Sequence, residues 1–355
     1  MQRIYQLPLW AFGAVLLLCI GVLVYWQQVG AAEPTEIRWF VAHEPSAVFV
    51  RAEKLLASEL LKNSGEAYKV TFLTPKDMGL EGKVTPDAIV KLLGDGTVDL
   101  VSMNVDSVIA LEKSKSSGAT LDLEVLHLPY LFRDYESANK VLDGAVGGEL
   151  LSLLDKAVPA HALAFTYSGG FRVVASAKGP LKNVADLKGQ RINTWGSPTM
   201  QKSLAALGMS PVPVAIIGGG KDLIEKGQSD GVELTYTREE EAIGSNTKYV
   251  LETNHVLFLS ALFASDAFYS SLSPKAKDIL NAAAVLAAQT ERADSIALNE
   301  QVRTSLIESG VSVMALSAAD RMSLEQWASG FRTNFGMTAA MKALEQKILE
   351  AQQDR

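Results

Sequence analysis

Arg172, Arg191 and Asn193 lie in one stretch, Tyr167 to Gly196, with the sequence YSGGFRVVASAKGPLKNVADLKGQRINTWG. Two β-prone runs flank a Lys-rich loop there, which predicts two strands presenting these side chains on one wall of a cleft. A guanidinium is a planar fork of donors suited to a carboxylate or another small polar group, so the chemistry indicated is binding. Arg191 and Asn193 are two residues apart and share a strand face.

Chemistry of other kinds finds little support. There is no Gly-x-Ser-x-Gly elbow, no His-Glu-x-x-His helix and no usable cysteine nucleophile, and the many carboxylates carry no motif that locates an acid-base pair, so no catalytic residue is assigned. Gly218-Gly219-Gly220-Lys221 resembles a phosphate loop but fails on spacing: Ala215 stands where a glycine is needed and Asp222 where Ser or Thr is needed. Its reading is a flexible helix start with free amides. His127 and His161 read as structural, with no metal-ligand spacing around them, and no cofactor or metal is expected.

The elements that must position the candidates follow from the pattern of apolar residues. Ile37 to Ala42, Lys69 to Thr74 and Val98 to Met103 are β-prone, while Pro45 to Leu61 and Pro86 to Leu93 repeat apolar residues at helical spacing. Such alternation predicts an α/β fold with a mostly parallel sheet and a ligand zone beyond the carboxyl ends of its strands. His43, Glu44, Asn104 and Asp106 fall in that zone. Asp134 is placed to cap a helix, with Ser137 three residues on, and Arg133 to make a local ion pair. Pro274 to Glu308 contains no glycine or internal proline, which predicts one long helix whose alanines at 282–284 and 287–288 suit close packing. A further helical stretch runs from about Ala318 through Gln352.

The chain has 355 residues, is 48% hydrophobic and carries a formal net charge of -7, so it is long enough for two domains and has no basic stripe for nucleic acid. The one cysteine, Cys19, lies in an apolar N-terminal run, and the remainder must be stable through packing without disulfides. Arg3, the 18 apolar or glycine residues from Leu9 to Trp26, and the small residues Gly30-Ala31-Ala32 read as an export signal over 1–32. A retained membrane anchor is the alternative, because the run reaches the short edge of what can span a bilayer.

LPYLFRDYESANKVLDG (128–144) resembles the signature segment of solute-binding proteins of tripartite ATP-independent periplasmic (TRAP) transporters. The resemblance continues in order through GGFR (169–172), ADLKGQRI (185–192), GSP (196–198), ALG (206–208), SDGVE (229–233) and TNH (253–255), spanning about residues 36 to 335. It implies a two-lobed periplasmic solute-binding protein fold with mixed sheets, an interlobe cleft and a long helix spanning both lobes. The division expected is 36–168 plus about 258–297 for lobe I and 169–257 plus about 298–355 for lobe II. It also implies a periplasmic monomer that closes on a small organic solute and delivers it to a small and a large membrane subunit. With the N-terminal run retained, a membrane-anchored sensory ligand-binding protein is the alternative.

The resemblance places an arginine that grips a ligand carboxylate where this chain has Asn193, and an asparagine that helps hold the ligand where it has Leu234. Arg172 and Glu233 are retained, and His255 takes a position near the lobe crossing that implies hinge or packing. One charge-assisted hydrogen bond contributes about 1.5–3 kcal/mol, so losing a bidentate pair lowers carboxylate affinity by about two orders of magnitude. The expectation is a ligand other than a simple carboxylate, contacted by Arg172, Asn193, Glu233, His43, Glu44 and Asn104, with Trp195 and Tyr236 as an apolar or cation-binding wall beside Asn193 and Glu233.

Overall fold

The computed structural model of the chain describes residues 35–42, 46–64, 68–81, 84–115, 122–167, 169–195, 197–214, 220–238 and 248–353, with the backbone alone at 112–115 and 195. Strand β1 (Thr35–Val41) leads to helix α1 (Val50–Ser64), β2 (Tyr68–Leu73), α2 (Pro86–Gly94), β3 (Leu100–Asn104) and α3 (Val105–Lys115). A 3-10 segment, Asp122–His127, precedes α4 (Tyr135–Leu142), α5 (Ala145–Ala157) and β4 (Ala160–Thr166). Next come β5 (Val173–Ser176), β6 (Arg191–Trp195), α6 (Pro198–Ala206), β7 (Ser210–Val214), α7 (Gly220–Glu225), β8 (Gly231–Leu234) and β9 (Tyr249–Glu252). The chain closes with β10 (Ser260–Ser265), α8 (Asp266–Ser271), α9 (Pro274–Glu308), β11 (Ser312–Ala315), α10 (Ala318–Asn334) and α11 (Ala339–Ala351).

Helix starts are written in the sequence. Thr85 accepts from the Ala88 amide ahead of Pro86, and Asp134 accepts from the Ser137 amide at 2.7 Å. Ser273 caps α9, again with proline in the first turn. Arg133 pairs with Asp134 at 3.0 Å, a local ion pair as expected.

The strands form two sheets, ordered β2-β1-β3-β10-β4 and β11-β9-β5-β8-β6-β7. Both are mixed, where the alternation of elements alone predicted a mostly parallel sheet. Strand β10 runs antiparallel to β3 and β4, and β5 antiparallel to β8 and β9. These strands begin where the chain passes between the sheets, after β4 and after β9. A strand arriving from another sheet makes no right-handed βαβ crossover and is free to pair antiparallel. The two strands of Tyr167 to Gly196 are β5 and β6; β8 lies between them, so they are no hairpin.

Alternation along β1 buries both faces of the first sheet. Phe40 joins Val101, Phe165 and Phe263 in one cluster, while Ile37 and Trp39 join Leu56 of α1 and Leu280 of α9 in another. In the second sheet Val173 and Val250 face Val302 and Leu306 of α9, and Ile192 and Leu251 face Leu204 of α6.

Helix α9 is continuous from Pro274 to Glu308 and touches both sheets. Its buried Ala283, Ala284, Ala287 and Ala288 let it approach α1 and the first sheet, and Arg303 reaches Glu252 of β9 at 2.6 Å. The stretch from 318 onward is two helices, because the chain turns at Gly336 and restarts under a Thr338 cap. Met341, Leu344 and Ile348 of α11 enter the first-sheet core, although the sequence division placed this segment in lobe II. Among the described residues no helix is long and apolar enough to cross a membrane; residues 1–32 lie outside them.

Candidate functional site

Where the chain crosses between the sheets, residues 169–172 lie beside 256–258. The Arg172 amide donates to Val256 O at 2.8 Å and the Phe258 amide to Gly170 O at 2.9 Å. A Cβ at Gly170 would meet the Tyr135 hydroxyl at 2.2 Å, so the second glycine of GGFR lets the crossing pack against α4. This fixes the base of Arg172.

The Arg172 side chain is 2% exposed, and its guanidinium lies 4.9 Å from the Phe258 ring centroid. Its Nη2 donates to Asp106 Oδ2 at 2.6 Å and its Nη1 to Glu233 Oε2 at 3.2 Å. Asp106 opens α3 just beyond β3, and Glu233 sits in β8, so strand ends from both sheets deliver these carboxylates. Thr194 of β6 also donates to Glu233 Oε2, at 3.3 Å, and His255 Nε2 lies 3.3 Å from Glu233 Oε1. Desolvation opposes the charge on Arg172, but Glu233 and Asp106 outweigh it and raise its pKa.

The cluster continues through His127. Its Nε2 meets Asp106 Oδ1 at 2.5 Å, its Nδ1 lies 2.9 Å from Ser197 Oγ, and Glu124 Oε2 is 3.5 Å away. Ser197 donates to Glu124 Oε2 at 2.6 Å while accepting from the Met200 amide as the cap of α6. The cap of a second-sheet helix is thereby tied to the 3-10 segment of the first-sheet side. Burial alone would lower the His127 pKa, yet Asp106 and Glu124 outweigh it and raise it to about 9. Burial likewise would raise Asp106, and Arg172 and His127 bring it down to about 2.

His127 read as structural in the sequence because no metal-ligand spacing surrounds it; the fold brings Asp106 onto its Nε2, with Glu124, three residues before it, 3.5 Å from its Nδ1. The signal available was Asp106 in the zone beyond β3, but nothing local paired it with residue 127. Tyr130 holds the neighbouring loop in place. Its backbone is left-handed at φ 53°, its amide donates to His255 O at 2.6 Å and its hydroxyl to Thr253 O at 2.7 Å.

Of the sequence candidates, Arg172 and Glu233 meet in this cluster. Asn104 is buried, and its side-chain oxygen accepts from the Ser107 amide at 2.7 Å at the start of α3. Asn193 faces the other side of the second sheet, since it pairs with Val232 while Thr194 next to it reaches Glu233. Its Nδ2 donates to Gly220 O at 2.9 Å, and its Oδ1 is buried with no hydrogen-bond partner among the described residues. A Cβ at Gly220 would lie 2.9 Å from that Nδ2, so the last glycine of the triple admits this contact. Tyr236 is 3% exposed in the second-sheet core and donates its hydroxyl to Glu252 at 2.8 Å. The expected wall beside both Asn193 and Glu233 therefore does not assemble from Tyr236, whose ring turns into the core. His43 and Glu44 lie outside the described residues, as does the side chain of Trp195.

Arg191 is held by Asp230, with contacts at 3.1 Å from Nε and 2.7 Å from Nη2. The Arg191 hydrogen bond first, and Lys178 with it, lower the Asp230 carboxyl well below its ordinary range. This arginine opens the interior strand β6 and is tied to the residue that precedes β8. Among the described residues no group of His, Cys, Asp and Glu is arranged to hold a metal ion.

Comparison with known proteins agrees with this architecture. Residues 85–331 match the model of bacterial extracellular solute-binding protein, family 7 (DctP). The 2,3-diketo-L-gulonate-binding periplasmic protein YiaO of Escherichia coli is 25% identical over 245 residues, 66% of this chain and 73% of that one. The C4-dicarboxylate-binding periplasmic protein DctP of Rhodobacter capsulatus is 29% identical over 209 residues, 58% of this chain and 61% of its own. Among solved structures, the sugar acid binding protein DctPAm of Advenella mimigardefordensis in complex with galactonate superposes with a TM-score of 0.73 at 21% identity, covering 90% of this chain and 98% of that one. A TRAP periplasmic solute binding protein from a Bradyrhizobium species, in complex with galacturonate, gives 0.74 at 22% identity over 89% and 99%. With two mixed sheets joined by crossing segments and one long helix, and a family match over most of its length, this chain belongs to the bacterial extracellular solute-binding proteins of family 7.

Proposed function

We propose that the protein binds a small organic solute between its two lobes, outside the cytoplasmic membrane, and delivers it to the membrane subunits of a TRAP transporter by domain closure. The observation that carries this reading is the buried ion cluster of Asp106, His127, Arg172 and Glu233. It lies at the strand ends of both sheets, where an α/β fold receives ligands. A family whose relatives are named for periplasmic solute binding supports it. In this reading the lobes divide near 168 and 257, with the C-terminal helix α11 lying over lobe I. The N-terminal apolar run directs export, and Asn193 stands where the resemblance places a carboxylate-gripping arginine, so the solute is held differently.

Closure on a solute buries surface from both lobes and shifts a population of conformers. The test is solution scattering of the exported protein before and after addition of the small molecule that its denaturation releases, identified by mass. A smaller radius of gyration is expected. An unchanged radius at saturation would refute closure.

A further inference from the structure

We infer that the cleft carries its own counter-anions, and that the solute presents uncharged hydroxyl groups there in place of a carboxylate. This rests on the solute-binding reading above and names the class of solute.

Two features of the site would ordinarily attract an anion: the buried guanidinium of Arg172 and the backbone N–H groups opening α6. Each already faces a carboxylate of this chain. Asp106 and Glu233 occupy Nη2 and Nη1 of Arg172 at 2.6 and 3.2 Å. Glu124 Oε2 lies 3.4 Å from the Thr199 amide and takes the Ser197 hydroxyl at 2.6 Å. His127 stands between the two acids that hold these posts, 2.5 Å from Asp106 and 3.5 Å from Glu124. The charges thus alternate in the order Glu124, His127, Asp106, Arg172, Glu233. A carboxylate arriving on Arg172 must displace a resident acid or add a negative charge to a cluster shut away from water, and both are unfavourable.

The same region leaves polar atoms unsatisfied whose needs are different. Arg172 Nε, a donor, Thr199 Oγ1 and the acceptor Glu233 Oε1 are buried without a hydrogen-bond partner among the described residues. Those residues are 2%, 0% and 1% exposed. A hydroxyl donates and accepts at once, so a polyhydroxylated neutral solute answers such a mixture, where a carboxylate only accepts.

The experiment uses matched pairs: D-galactose with D-galacturonate, D-glucose with D-glucuronate, and galactitol with D-galactonate. Thermal unfolding of the exported protein is recorded with each at equal millimolar concentration, together with the mass of any molecule released on denaturation. Stabilisation by the uncharged member of a pair and not by its acid is expected, or, where no pair member binds, release of a molecule without a carboxylate. In Asp106→Asn, which frees a donor of Arg172, acid affinity should rise at least tenfold; Glu124→Gln serves if that variant does not fold. An acid stabilising the wild type more than its uncharged partner, or release of a carboxylate-bearing molecule, would overturn the inference and leave the solute-binding reading standing. If nothing stabilises wild type or variant and nothing is released, the solute-binding reading itself falls, and this inference with it.

Discussion

Asp106 and Arg172, 66 residues apart in sequence, meet at 2.6 Å inside the protein, and the other Asp106 oxygen is taken by His127. Removing one partner of a buried pair strands the other, at a cost of about 3–5 kcal/mol. Arg172→Met should lower the free energy of unfolding in urea by that amount. Arg303→Met removes an ion pair whose arginine side chain is 30% exposed and should cost far less. The double variant Asp106→Asn with Arg172→Met should be less destabilised than the sum of its parts, since the two residues share one interaction.

Stability should fall on the alkaline side because of His127. A base whose folded pKa is raised contributes stability in full below its unfolded value and loses it as pH climbs through the folded one. Here the window runs from 6.5 to about 9. That difference corresponds to about 3 kcal/mol. Melting temperatures from pH 6.5 to 9.5 should decline steeply in the wild type, whereas His127→Gln should start lower and decline little across this range. On the acid side, the lowered Asp106 gives the opposite sign: its contribution is complete above its ordinary 3.8 and is lost as pH falls toward about 2.

Ser197 serves α6 and Glu124 with one hydroxyl. Ser197→Ala should cost about 1–2 kcal/mol for the lost cap, and amide exchange at Met200 should quicken. Ser197→Thr keeps the oxygen and should restore most of both. A Ser197→Ala protein with unchanged exchange at Met200 would show that the cap does not depend on this side chain.

The elements were legible because their signals are local. Proline after a capping Thr or Ser marked α2 and α9, and the alanine run of α9 announced a helix that packs closely. Sheet direction was less legible, since β5 and β10 owe their antiparallel pairing to the chain crossing between sheets, which leaves no trace in a window of ten residues. The site divided in the same way. Arg172 and Glu233 stood out through their motifs, but of the groups around His127 only Glu124 is local, and Asp106 and Ser197 come from 21 and 70 residues away. Tyr236 was misleading for a related reason: an aromatic beside a candidate strand carries no mark of the face to which its ring turns. Asn193 looked like a neighbour of Glu233 until the register put Thr194 there instead.

Helix α9 has 35 residues, a rod of about 50 Å at ordinary rise. It is fastened at several points. Glu291 accepts the Tyr167 amide at 2.8 Å and Arg292 holds Asp143, while Arg303 grips Glu252 toward its far end. The two sheets are thus mounted on a common beam and are not hung on loose cords. The closure proposed above would have to flex this beam or slide side chains along it, so its elastic stiffness would set how far the sheets could part and how quickly they would return.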